Sequence, residues 1–77
     1  MNVAARVEYA SLQIAPLLAE LPPAVQGAVL GDLLAIWLAG HRATTAEETH
    51  RLREGLLETE VALVRNLLAN LDHSYFI

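Results

Sequence analysis

The chain has 77 residues, no cysteine, no lysine, 55% apolar residues and a formal charge of −4. These absences exclude disulfides, thiolate nucleophiles, cysteine metal sites and lysine Schiff bases from these residues. A domain this short buries only about 60% of the surface that its unfolded form exposes. We therefore expect a second chain to cover part of the apolar surface, and the sparse arginines argue against nucleic-acid binding.

The first predicted helix covers residues 2–20. Apolar residues follow one another at alternating four- and three-residue spacing from Val3 to Leu21, which is typical of an amphipathic helix. Pro16 interrupts this helix because its nitrogen has no hydrogen to donate to the carbonyl of Leu12. We expect one helix kinked at Pro16, and two shorter helices are the alternative.

The second predicted helix covers residues 23–39 and follows the Pro22-Pro23 pair. It is apolar on nearly all sides, and Asp32 is its one charged residue. Such a helix must be covered on nearly all sides, so we expect it to be the buried centre of the fold. Its length and its central charge argue against a membrane span, for which about 20 apolar residues are needed. We expect no membrane association.

Small residues lie four apart along the second helix, whereas Gly55, Ala62 and Ala69 lie seven apart on the third. They predict positions where another helix approaches closely, as in small-xxx-small pairs. Gly40 is expected to end the second helix in a left-handed conformation. The residues predicted for close packing are Gly27, Gly31, Ala35 and Gly55.

The third predicted helix covers residues 45–71 and is followed by a tail, residues 72–77. Thr44 and Thr45 each precede a glutamate by three residues, which predicts a doubled capping box at its start. Acidic residues follow on the exposed side, where we expect them to form an acidic face. That face consists of Glu47, Glu48, Glu54 and Glu58.

The third helix has an apolar face that covers about half of its circumference. Glu60 projects into this face and Arg53 lies two turns earlier, so two interpretations stay open. Glu60 either pairs internally, with Arg53, Arg6 or the Trp37 indole, or fixes the register between two copies. The residues predicted for the interface are Arg53, Leu57, Glu60, Val61, Val64, Leu67, Leu68 and Leu71.

Catalytic and metal-binding patterns are weak in this chain. Glu47-x-x-His50, with Glu54 one turn later, has the spacing of a di-iron bundle motif. Such a site also needs acids projecting from other helices, and the first helix has none on its apolar face. We expect no enzymatic activity, no cofactor and no metal, and a metal-binding bundle is a remote alternative.

The patterns together predict an all-α, three-helix bundle: one domain over residues 1–77, completed by homodimerisation. No basic start is followed by an unbroken apolar run, so we expect a cytoplasmic protein. The expected function is that of a small interaction module, a dimeric adaptor or inhibitor. Its acidic face would meet a basic partner, such as part of a nucleic-acid-handling machine. The alternative is a helix-turn-helix DNA-binding regulator, although its recognition helix would begin with acids.

Overall fold

The computed structural model describes the backbone of residues 2–76 and the side chains of residues 2–73. Three helices follow one another: α1 (Val3–Ala19), α2 (Pro23–Ala39) and α3 (Ala46–Phe76). No strand occurs in the described part of the chain. The all-α prediction is confirmed.

The first helix, α1, is a single helix that runs through Pro16. It begins at a side-chain cap, because Asn2 Oδ1 accepts the Ala5 N–H at 2.8 Å. An internal proline removes one backbone hydrogen bond from a helix. That loss does not divide α1 into the two shorter helices of the alternative.

The turn between α1 and α2 is held by the carbonyl of Leu18. This oxygen accepts the Leu21 N–H at 3.0 Å and the side-chain amide of Gln26 at 2.7 Å. The Gln26 N–H in turn donates to Pro22 O at 2.9 Å, in the first turn of α2. One glutamine therefore connects the end of α1 to the start of α2.

The end of α2 differs from the predicted left-handed cap at Gly40. No described glycine has a positive φ, so that expectation is wrong. The Gly40 N–H is shared between Ile36 O and Trp37 O, both at 3.2 Å, and the His41 N–H donates to Leu38 O at 3.0 Å. Bonds to the third preceding residue tighten the last turn and replace the left-handed cap.

The third helix, α3, begins at the predicted cap and continues past the predicted end. Thr45 Oγ1 accepts the Glu48 N–H at 3.1 Å, which confirms the capping role of this threonine. The helix continues to Phe76, so residues 72–76 are helical where a tail was expected. No glycine or proline follows Leu71, and adding residues to an existing helix costs little. The side chains of residues 74–77 lie outside the described residues.

The chain groups into two units, Met1–Leu34 and Ala35–Ile77, and the division falls inside α2. No described side chain is buried, including those of α2, so the buried central helix of the predicted bundle is not confirmed and stays a prediction. The single domain stays a prediction. No helix among the described residues combines the length and hydropathy needed to cross a membrane.

Candidate functional site

Arg53 holds the end of α2 against the first turns of α3. Its Nε donates to Leu38 O at 3.0 Å and to His41 O at 3.1 Å, and its Nη2 donates to Ala39 O at 3.2 Å. Carbonyls at the end of a helix have no partner within the helix, and they attract positive charge. The half-buried guanidinium therefore caps α2 from a residue in the next helix.

Thr49 holds the connecting loop on the same side of α3. Its hydroxyl donates to Thr45 O at 2.8 Å and lies 3.4 Å from Ala43 O, and it accepts the Ala43 N–H at 3.0 Å. A hydroxyl group can combine one donated bond with two accepted ones. This side chain thus fixes the loop conformation just before the Thr45 cap.

His41 adds a third contact to the end of α2. Its Nδ1 lies 2.8 Å from Trp37 O, and its ring meets the Trp37 ring edge-on, with centroids 5.3 Å apart. We call the set of Arg53, Thr49 and His41 the polar clasp. Its arginine and histidine bond four carbonyls at the end of α2 and the start of the loop.

An open cavity of about 480 Å³ lies beside the polar clasp. Its lining contains no carboxylate, so a metal ion would find no anionic ligand there. The Glu48 N–H at the start of α3 is taken by Thr45. The lining residues are Arg42, Ala43, Thr44, Thr45, Ala46, Thr49, His50 and Arg53.

The di-iron spacing of Glu47, His50 and Glu54 does not assemble a metal centre. Among the described residues, no group of three or more histidine, aspartate or glutamate side chains lies close enough to hold a metal ion. The three residues all belong to one helix, and such bundle sites draw their carboxylates from several helices.

The predicted interface residues divide into two groups along α3. Arg53, Leu57 and Glu60 are half-buried, whereas every described side chain from residue 61 onwards is exposed. The exposed members have between 40% and 54% of their surface accessible: Val61, Val64, Leu67, Leu68 and Leu71. The second half of the apolar face is therefore exposed in the part of the chain whose side chains are described.

Glu60 does not pair with Arg53 in this chain. The Arg53 guanidinium donates to carbonyls of the polar clasp, and the ion pair present among the described residues joins Arg51 to Glu47. Seven residues also separate Glu60 from Arg53, about 10 Å along a helix. That version of the internal-pair interpretation is wrong, and the register interpretation stays a prediction.

The four residues of the acidic face are exposed along the first half of α3. Glu47 Oε1 lies 3.6 Å from Arg51 Nη2, with 82% and 68% of the two side chains accessible. An exposed pair of this kind contributes only about 0.3–0.5 kcal/mol. The carboxylates are therefore available to a partner.

The residues predicted for close packing face open space. A Cβ added at Gly27, Gly31 or Gly55 would meet no atom within 4 Å, and Ala35 is exposed.

Sequence reasoning missed Thr49 and Gln26 and gave Arg53 another role. Gln26 had one usable signal, because it lies in the first turn after a Pro-Pro pair, where a side-chain amide can reach back. Arg53 and its carbonyl partners are 12 to 15 residues apart, which no local pattern reveals. A comparison of the chain with family models, curated proteins and solved structures finds no match.

Proposed function

We propose that this chain is a cytoplasmic, non-catalytic interaction module. It forms a homodimer and works as an adaptor or an inhibitor. The apolar surface carries the proposal: among the described residues no side chain is buried and 19 large apolar ones are exposed. Patches of this kind mark protein interaction sites. The second copy would complete the bundle that a single chain leaves open.

The energetics favour association through α3. Covering a half-exposed leucine or valine contributes about 1 kcal/mol. Five such side chains of the predicted interface lie between residues 61 and 71 of each chain. Ten of them in a dimer contribute about 10 kcal/mol, which is comparable to the cost of about 4–15 kcal/mol for association. A dimer that also covers α1 would be tighter.

The acidic face supports a basic partner. Glu47, Glu48 and Glu54 are exposed at the start of α3, where a DNA-binding helix would meet phosphates. Like charges would repel a nucleic acid there, whereas a basic protein that handles nucleic acids has the complementary sign.

Sedimentation velocity of the full chain between 1 and 100 μM tests self-association. We expect a dimer of twice the 8.4-kDa chain mass. A compact single chain that unfolds cooperatively throughout this range would contradict the proposal.

Affinity capture with a triple variant, E47Q/E48Q/E54Q, tests the acidic face. We expect a basic protein to be retained by the unmodified chain and lost by the variant. A mobility shift with random DNA is the control, and salt-dependent binding there would favour the regulator alternative instead.

A further inference from the structure

The seam of α3 that remains open has a regular heptad spacing. Its residues follow one another at intervals of four, three, four and three, which places them on one stripe of the helix. The last four members are between 40% and 54% exposed. We call this stripe the α3 seam: Leu57, Val61, Val64, Leu68 and Leu71.

The half-buried residues of α3 lie to one side of this seam. Thr49, Arg53, Leu56 and Glu60 fall on the stripe next to it, which faces the chain's own loop and α2 end at the polar clasp. Leu57 is the one member of the seam that is half-buried as well. The opposite flank of the seam therefore has no occupant from the end of α2.

That opposite flank has one charged residue per heptad, and the sign alternates. The residues are Arg51, Glu58, Arg65 and Asp72, at intervals of seven. All four are exposed. We call them the charge column. Residues at this heptad position contact the same position of an antiparallel partner, and such contacts set partner choice and orientation.

We propose that a second copy packs antiparallel along the α3 seam, about a two-fold axis between residues 62 and 63. This deepens the proposed function and rests on it. In this register Leu57 lies opposite Leu68 of the second copy, and Val61 opposite Val64. Glu58 then lies beside Arg65 of the second copy, and Arg51 beside Asp72, so each pair occurs twice.

The charge column selects this register over its neighbours. Moving the axis by half a heptad towards the C-terminus brings Arg65 beside Arg65 of the second copy. Moving it by the same distance towards the N-terminus brings Glu58 beside Glu58 of the second copy. Both shifts place like charges together, which is destabilising.

A parallel dimer is disfavoured by the first half of α3. It would bring Glu47 and Glu54 of one chain against the same residues of the other, in line with the seam. It would also align the two helix dipoles, whereas an antiparallel pair opposes them. The antiparallel arrangement instead places the acidic first half beside a second half that is nearly neutral.

Cysteine cross-linking of the full chain tests the orientation, because the natural chain has no cysteine. Leu57→Cys and Leu68→Cys are oxidised separately and as a mixture. In the antiparallel register the two copies of Leu57 lie 11 positions apart along the helix axis, about 16 Å, and so do the two copies of Leu68. This distance is too long for a disulfide. We expect covalent dimers from the mixture and none from either variant alone, and a reducing agent should reverse them.

Charge reversal gives a second test that leaves the seam intact. Arg65→Glu and Glu58→Arg should each weaken the dimer roughly tenfold, and the double variant should restore it. Asn66→Glu, one residue away on the outer side, is the matched control and should leave the dimer unchanged.

The outcomes separate this inference from the proposed function. Disulfides from each variant alone, or a dimer without any disulfide, would overturn the antiparallel seam and leave self-association intact. A lack of rescue in the double variant would also overturn it. A single-chain mass for the unmodified protein would overturn both.

Discussion

In residues 46–60 of α3, Arg53 hydrogen-bonds the end of α2 and Thr49 hydrogen-bonds the connecting loop, whereas residues 61–73 have no half-buried side chain. The first half is the more charged of the two, and it contains half-buried apolar side chains, Leu56 and Leu57, as well as Arg53. The second half is the more apolar of the two, and its described side chains are all exposed. The same helix thus combines a segment with contacts to its own chain and a segment that we propose to be covered by a second copy.

This contrast has a simple physical basis. The Arg53 guanidinium satisfies three carbonyls at the end of α2. The Thr49 hydroxyl satisfies Thr45 O and the Ala43 N–H close by. Leucine and valine gain free energy only where another apolar surface covers them. The 31 residues of α3 form a helix about 46 Å long. It extends well beyond the end of α2, which Arg53 caps.

The largest expected effect is in the second half. Leu68→Asp places a charge on the α3 seam, where burial without a partner costs several kcal/mol. We expect the dimer to weaken by about 100-fold or more, as measured by sedimentation equilibrium. Ala69→Asp, one residue away on the outer side, is the control. An equal loss of dimer affinity in this variant would show that the α3 seam is not the dimer contact.

The next largest effect is in the first half. Arg53→Met keeps the aliphatic length and removes the donors to three carbonyls, so we expect the free energy of unfolding to fall by about 1–2 kcal/mol. Arg53→Lys should recover little, since one ammonium group cannot replace the planar guanidinium. Thermal unfolding at fixed chain concentration measures both, with Arg42→Met as control. An unchanged melting temperature would show that the cap contributes nothing.

A smaller effect is expected at Thr49. Thr49→Val keeps the shape and removes the hydroxyl that connects Ala43 and Thr45, at a cost of about 1 kcal/mol. Thr49→Ser keeps the hydroxyl and should retain most of the stability. The two variants are compared by urea unfolding, and equal midpoints would contradict the role of the hydroxyl.

The smallest effect has the opposite sign. Gly55→Ala should stabilise α3 by about 0.5–1 kcal/mol, because the added Cβ meets no atom within 4 Å. Gly55 lies away from the α3 seam, so the dimer affinity should stay the same. Destabilisation, measured by thermal unfolding, would mean that another helix approaches this glycine after all.

Local rules predicted the helices of this chain well. The Thr45 cap follows from a spacing of three residues, and the Pro-Pro pair separates α1 from α2. The extension of α3 to Phe76 was not predicted, because Asp72, His73 and Ser74 were interpreted as a break although none of them prevents a helix.

The candidate site was less predictable, because its contacts join residues distant in sequence. Arg53 was assigned to Glu60 by helical spacing, whereas its partners are carbonyls of the preceding helix end. Backbone acceptors have no sequence signature, so a cap of this kind can only be found once the two helix ends are placed. The exposed seam, by contrast, follows directly from the pattern of apolar residues.

Amide hydrogen exchange at two chain concentrations tests the central claim most directly. Protection that comes from a second copy is lost on dilution, whereas protection from the chain's own contacts is not. We predict that residues 61–73 lose protection when the chain is diluted below the dissociation constant, before residues 46–60 do. Protection of residues 61–73 that is the same at every concentration would contradict the claim.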